Sequence, residues 1–524
     1  MSINCIRTLI ENSAVSHSDK TALIFNEKSI TYSALLTKVN QVAFYLKELD
    51  LPKNSRVGIY SNKCIDKVIA MLGVLSTDYV LVPLTKLLKP EQVKYIINDC
   101  DIKCIIADKV KLEDIKEINF NGHIISYETT SKDIASFEEI FKYYNKPYIC
   151  DINGHDNAVI TYSFGLSGTP KGIVMSHRNL IDSARVVSQY LNLKEDDIIS
   201  GILIFNLDYG LNQIFCTLYK KATLALHRFI MPDDFFNHLI NDKVTVIPLM
   251  PINITQIFED GMQKIPNPEL FTNVKTITSS GGNVTANMTK DCKKLFVNAD
   301  FYSMHGLTEA FRSTYLDPKQ IEIRPDSIGK AIPDVELFVI NEKGKECKPR
   351  EVGELIHRGG YIYKGFWNAP KQNEKRFKSI QILKDVINLE GQLTDEIVVA
   401  TGDFVYKDEE GYLYFVYRQD DMIKTRGFRV SPFEIESVVK KNMPKITQTA
   451  VFSVKNEQIE EEIVMVYSAK SEIPHKEIQF ELKKHLASYM IPSIIIYKKS
   501  LPLVQSNKNL INKEALKKEL IDKE

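Results

Sequence analysis

The 524 residues carry no excess charge of either sign: Lys plus Arg and Asp plus Glu both count 67, so the formal net charge is zero. Without a global field to recruit nucleic acid or an anionic membrane, a small-molecule ligand fits better. A membrane-spanning run is missing as well. The most apolar stretch, 68–84, is broken by Ser76, Thr77 and Asp78 before it reaches the ~20 residues a spanning helix needs. The N-terminal segment, with Arg7, Glu11, Asp19 and Lys20, has no continuous apolar run of signal-peptide type. The expectation is a cytoplasmic protein. Eight cysteines are scattered along the chain, and only Cys100 and Cys104 are close together. No second pair and no matching His pair follows, which argues against zinc and for reduced, mostly buried thiols.

What is present is one dense stretch, Tyr162 to Gly172, reading YSFGLSGTPKG. Gly165, Gly168 and Gly172 let backbone N–H groups approach a ligand, Ser163, Ser167 and Thr169 donate hydrogen bonds, and Lys171 supplies charge. That chemistry suits a polyphosphate. Residues 158–162 and 173–175 read as strands, so the loop joins two β segments. A Walker A loop is excluded, because it needs Gly-Lys-Ser/Thr entering a helix, whereas here Pro170 precedes the lysine and β-branched residues follow it. A plain Gly/Ser surface turn is the alternative reading of the loop alone.

The loop, followed by Met175-Ser176-His177, resembles the signature of the AMP-forming adenylating enzymes, the superfamily of acyl-CoA synthetases, peptide-synthetase adenylation domains and luciferases. Phe164 and Leu166 stand where that family usually has Ser and Thr. Other segments are similar to family elements. Thr276 to Asn283 resembles the adenine-contacting turn, which assigns Ser280 to the substrate pocket and Gly281, Gly282 and Asn283 to the nucleotide. Tyr302 to Ala310 resembles the YGxTE element, with Met304 at the pocket, His305 in place of the stacking Tyr, and Gly306 and Leu307 beside the nucleotide. There Thr308 is implied near the α-phosphate, and Glu309 as the ligand of Mg²⁺, which prefers oxygen donors. Thr401-Gly402-Asp403 matches the TGD triplet, whose carboxylate receives both ribose hydroxyls. The run from Tyr417 to Glu436 resembles the superfamily hinge, with Arg418 on the ribose, Asp420 as pivot, and Gly427 and Phe428 on the thiol channel. Near the end, Leu501 to Lys508 resembles the terminal lysine loop. Lys508 is the implied bridge between substrate carboxylate and α-phosphate, Asn507 replaces the usual glycine, and Lys513 is a weaker candidate.

The chain order reads as α/β. Apolar residues at Leu35, Val39, Val42, Leu46 and Leu49 fall on one helical stripe, and strand-like segments at 57–60, 79–82 and 104–107 alternate with helical ones. Such alternation predicts parallel βαβ units in layered subdomains, a β-rich portion including Gly353 to Gly360, and a small α+β unit at the C-terminus. The expected domains are 1–417, for nucleotide binding and adenylation, and a mobile 418–524. Phe205 to Gln213 resembles the acid-pocket segment. Asp208 aligns with the amine-binding Asp of amino-acid-activating relatives, Leu207 with an aromatic or His of acyl-CoA synthetases, and Tyr209 lies beside them; Asp208 reads equally as a helix N-cap. The family implies ATP and Mg²⁺, a carboxylic-acid substrate, and CoA or a carrier protein's phosphopantetheine as acceptor. The favoured reading is an acid–thiol ligase of acyl-CoA synthetase type. Its rivals are an amino-acid ligase loading a carrier protein and a nucleotide-binding homologue without turnover.

Overall fold

Helix Tyr32–Glu48 starts where Thr31 accepts the Ala34 N–H with its side chain, and it buries Leu35, Val39, Val42 and Leu46 against the first core. Each such side chain contributes about 1.5–3 kcal/mol by leaving water, so the stripe read from the sequence fixes which face turns inward. The structure, a computed structural model, describes residues 4–131, 134–143, 151–164, 170–260, 266–282, 284–391, 395–418, 423–430, 432–456, 458–504, 507–511 and 513–521.

Two large sheets carry the site. In the first, strands Val80–Leu84, Arg56–Tyr60, Ile102–Ala107, His123–Ser126 and Ala135–Ser136 are parallel neighbours. The five residues of Val80–Leu84 are all buried, as expected of a strand covered on both faces. At one side of this sheet, Asn157–Phe164 and Pro170–Ser176 form an antiparallel pair, and Val80–Leu84 meets Asn157–Phe164 in parallel through Leu81 and Val159. Pro83, which cannot donate to a ladder, falls where that pairing has opened.

The second sheet runs from Val335–Ile340 at one edge to the hairpin Thr21–Phe25 and Lys28–Thr31 at the other. Its middle is parallel, through Ile198–Gly201, Val246–Leu249, Thr276–Ser279 and Asp300–His305. An antiparallel part follows, including Gly353–Gly359, Ile397–Lys407 and Leu413–Arg418. From Ile423 onward the chain builds a separate sheet, with Ile423–Thr425, Phe428–Val430, Glu460–Ala469, Ile446–Asn456 and Ile494–Tyr497, packed around its own apolar cluster.

Candidate active site

A cleft opens where the parallel strands of the second sheet end. Residues just past their carboxyl ends, Met250, Ser280, Gly281 and Gly306 to Thr308, line it, as is usual for ligand sites in open α/β sheets. Pro83, Thr161 and Ser163 enter from the first sheet, and Gly427, Phe428 and Tyr489 from the C-terminal unit.

The segment Leu207, Asp208 and Tyr209 also borders the cleft. Leu207 is the N-cap of helix Asp208–Lys220, and Asp208 takes the first helical position, where its Oδ1 accepts the Tyr209 N–H at 2.7 Å. The N-cap reading of Asp208 is thus corrected by one residue, and a carboxylate in this first turn is still favoured by the helix dipole. Tyr209 Oη lies 2.7 Å from Thr278 Oγ1, which orients its ring. Burial pushes the Tyr209 phenol up to about 12. Burial, then the neighbouring Asp208, holds the Tyr363 phenol well above its usual range, so both phenols stay neutral donors at physiological pH. Met304, expected in the pocket, lies outside the described lining; it is buried, with its Sδ accepting the Tyr190 hydroxyl at 3.0 Å.

At the C-terminal end of strand Asp300–His305, His305 Nε2 sits 3.1 Å from Asp403 Oδ2. Asp403 is fully buried, on strand Ile397–Lys407, and lies in register with Arg418 of the next strand. The turn before it is tightly specified. Thr401 Oγ1 donates to Leu355 O at 2.7 Å and accepts the Asp403 N–H at 3.0 Å, while the Gly402 N–H donates to Glu354 Oε1 at 2.9 Å. Gly402 has φ +68°, and a Cβ there would meet Arg376 Nη1 at 1.9 Å; only glycine meets both demands. The Gly353-Glu354-Leu355 segment, read from sequence as scaffold, therefore clamps the turn that carries Asp403.

Arg376 also reaches Glu309, with Nε 3.5 Å from Oε1, both side chains being buried. Lys171 Nζ donates to Gln372 Oε1 at 3.3 Å. The only tryptophan, Trp367, ties the strand Pro170–Ser176 to the end of helix Pro90–Asp99: its backbone N–H donates to Gly172 O at 2.7 Å and its Nε1 to Asp99 O at 3.1 Å.

The C-terminal unit presents the turn at Gly427 to the cleft. Gly427 has φ +73°, and a Cβ there would stand 3.0 Å from Met250 Sδ. Phe428 stacks on Tyr489 at 3.9 Å between centroids. Gln92 Nε2 donates to Glu434 Oε1 at 3.1 Å and Thr255 Oγ1 to Gln458 O at 2.9 Å, and the Glu460 carboxylate lies against Gly282. Lys513 Nζ stays within its own unit, donating to Val451 O at 3.0 Å and pairing with Glu436 at 2.7 Å. Gly165, Ser167, Gly168, Thr169, Asn283 and Asp420 lie outside the described residues, as do the side chains of Arg418 and Lys508. Residues missed in the sequence include Arg312, Tyr363 and Tyr489, all lining the cleft. For Arg312 a signal existed: a lone charge between Ala310-Phe311 and Ser313-Thr314, all of them buried.

Comparison with known proteins gives the family and supports the fold. The AMP-binding enzyme family matches residues 10–367. Gramicidin S synthase 1 of Brevibacillus brevis is 25% identical over 508 residues, 96% of this chain, which spans only 43% of that synthase. The long-chain-fatty-acid–CoA ligase of Bacillus subtilis (strain 168) is 24% identical over 95% of this chain and 91% of the ligase. Among solved structures, the o-succinylbenzoate CoA synthetase of Bacillus subtilis, a double mutant bound to a product analogue, superposes with a TM-score of 0.82 at 20% identity, covering 97% of this chain and 98% of that one. The likeness extends across both sheets and the C-terminal unit. On the family match, which takes in more than half of its residues, this chain belongs to the AMP-binding enzymes.

Proposed function

We propose that the chain activates a carboxylic acid with ATP, giving an acyl-adenylate and pyrophosphate, and then passes the acyl group to the thiol of CoA or of a carrier protein's phosphopantetheine. The observation that carries this reading is the convergence on one cleft of Ser163, the Ser280-Gly281 turn, Gly306 to Thr308, the acid-pocket segment and the Gly427 turn. Residues 1–417 and 418–524 act as two domains in this reading, with Asp420 as pivot.

The carboxylate oxygen attacks the α-phosphorus and pyrophosphate leaves; in the second step the thiol sulfur attacks the carbonyl carbon and AMP leaves. The nucleophile of the first step is already ionised, so no general base is required. The difficulty is charge, since two anions must meet. Backbone N–H groups of the phosphate hairpin, Lys171, Thr308 and an incoming Lys508 stabilise the negative charge that builds on the phosphoryl oxygens. Glu309 is a single buried carboxylate shared with Arg376, and among the described residues no group of three or more His, Cys, Asp or Glu side chains is arranged for a metal. That donor set fits a magnesium ion arriving on the triphosphate and taking one protein carboxylate. When bound, it supplies neutralisation of the phosphate charge.

Asp208 at the cleft favours a second reading, in which the acid is an amino acid whose ammonium meets that carboxylate and the acceptor is a carrier protein. Hydroxamate trapping with pyrophosphate release, run over fatty, aryl, dicarboxylic and amino acids, tests the proposal. Nucleotide binding without pyrophosphate release for any acid would sink it.

A further inference from the structure

One cation at the cleft has no counter-charge among the described residues. Arg312 is 3% exposed and lines the cavity. Its Nη1 donates to Ser280 Oγ at 2.5 Å, and its guanidinium carbon stands 4.8 Å from the centroid of Tyr209 and 5.1 Å from that of Phe311. Its Nε has no hydrogen-bond partner, and no carboxylate among the described residues pairs with it. The other arginines set against this core differ: Arg185 holds Asp334, Arg358 holds Glu396, and Arg376 holds Glu309.

A guanidinium cannot shed its proton, so an arginine held out of water keeps its charge and calls for an anion or strong acceptors. A hydroxyl and two ring faces satisfy it only in part. The ring of Tyr209 is itself fixed through Thr278, so the guanidinium is held in one plane and its remaining N–H groups are arranged before any ligand arrives. Such a fork suits the two oxygens of a carboxylate.

Building on the proposed adenylation, we infer that Arg312 is the specificity-determining residue of the acid pocket. The acid it selects carries, besides the carboxylate that is activated, a second anionic group, a carboxylate in the first instance. The second group is the one that docks on Arg312 for a chemical reason. A carboxylate clamped by a fixed guanidinium is a poorer nucleophile, and the clamp would have to break as its oxygen attacked phosphorus. A spectator carboxylate keeps its pair from ground state to transition state, which is uniform binding and appears in KM.

The test uses the full chain and matched pairs of linear acids, with and without a terminal second carboxylate. Wild type should favour each diacid. Arg312→Met should lower kcat/KM for the diacids by about a hundredfold, mainly through KM, and leave the monoacids unchanged or improved. Equal turnover of both acids by wild type, or equal loss of both in Arg312→Met, would overturn the assignment. A readout independent of turnover is calorimetric binding of the diacid, which should vanish in Arg312→Met while ATP binding persists. Failure of every acid to release pyrophosphate while the diacid still binds through Arg312 would count against the proposed adenylation and spare this inference. Arg312→Met should also raise the melting temperature without ligand, because it removes a buried charge that lacks a counter-ion. A purely structural arginine would lower it.

Discussion

His305 and Asp403 are hydrogen-bonded to one another, Nε2 to Oδ2 at 3.1 Å. If the proposed roles hold, with His305 under the adenine and Asp403 on the ribose, a nucleoside has to share or displace that bond. His305→Tyr gives a larger stacking face and removes the His305 bond to Asp403. ATP affinity should rise by about three- to tenfold, as expected for about 0.5–1.5 kcal/mol of ring contact. Asp403→Asn should weaken ATP by about 10- to 100-fold through loss of a charged acceptor. Equilibrium nucleotide binding checks both, and unchanged affinity in Asp403→Asn would remove the ribose assignment.

Two lysines compete for the bridging role, and their surroundings separate them. Lys513 is occupied by Glu436 and Val451 O, so Lys513→Ala should leave exchange of pyrophosphate into ATP intact and alter only the stability of the C-terminal unit. Lys508→Ala should abolish that exchange while leaving thiolysis of a supplied adenylate largely in place. Comparable loss in both half-reactions would argue against Lys508.

Gly427 has φ +73°, and a Cβ added there would stand 3.0 Å from Met250 Sδ. Gly427→Ala adds strain of about 1–2 kcal/mol to this docked arrangement. Thioester formation should therefore slow by roughly tenfold or more, with adenylation changed much less. Asp420→Pro, acting on the proposed pivot, should show the same bias. Rapid-quench measurement of the two steps decides, and slowing of adenylation alone would contradict the docking role.

Glu434 is buried between the C-terminal unit and Gln92 of the large one. Burial raises its carboxyl from the usual 4.5 to about 8, against the opposing pull of the Gln92 amide. An acid with a raised pKa takes up a proton as it is buried, so this contact is most favourable below 4.5 and weakens as pH climbs towards 8. Thermal melts should show wild type losing a few degrees across that window relative to Glu434→Gln, with the two coinciding at the acidic end. Parallel pH profiles would remove Glu434 from the account.

Much of the scaffold was legible because its signals are local. The spacing of Leu35, Val39, Val42 and Leu46 fixes a helix face, and the apolar run at 80–84 fixes a buried strand. The glycine-rich hairpin and the Gly306 to Glu309 turn are visible through composition at fixed offsets. The remainder depends on pairs far apart in the chain. Nothing near Arg312 announces that Ser280 and Tyr209 will enclose it, and nothing in Glu354 predicts that it will hold the Gly402 amide. Asp208 shows the limit of local reading: cap and pocket residue could not be separated until the helix start was known to one residue.

Trp367 gives the chain a built-in optical gauge. Being the only indole, and bonded to Gly172 of strand Pro170–Ser176 as well as to Asp99, it emits from a position that senses movement of that strand. Red-edge excitation isolates it from the 24 tyrosines, so movement of the strand that carries Gly172 can be followed in real time with no label attached.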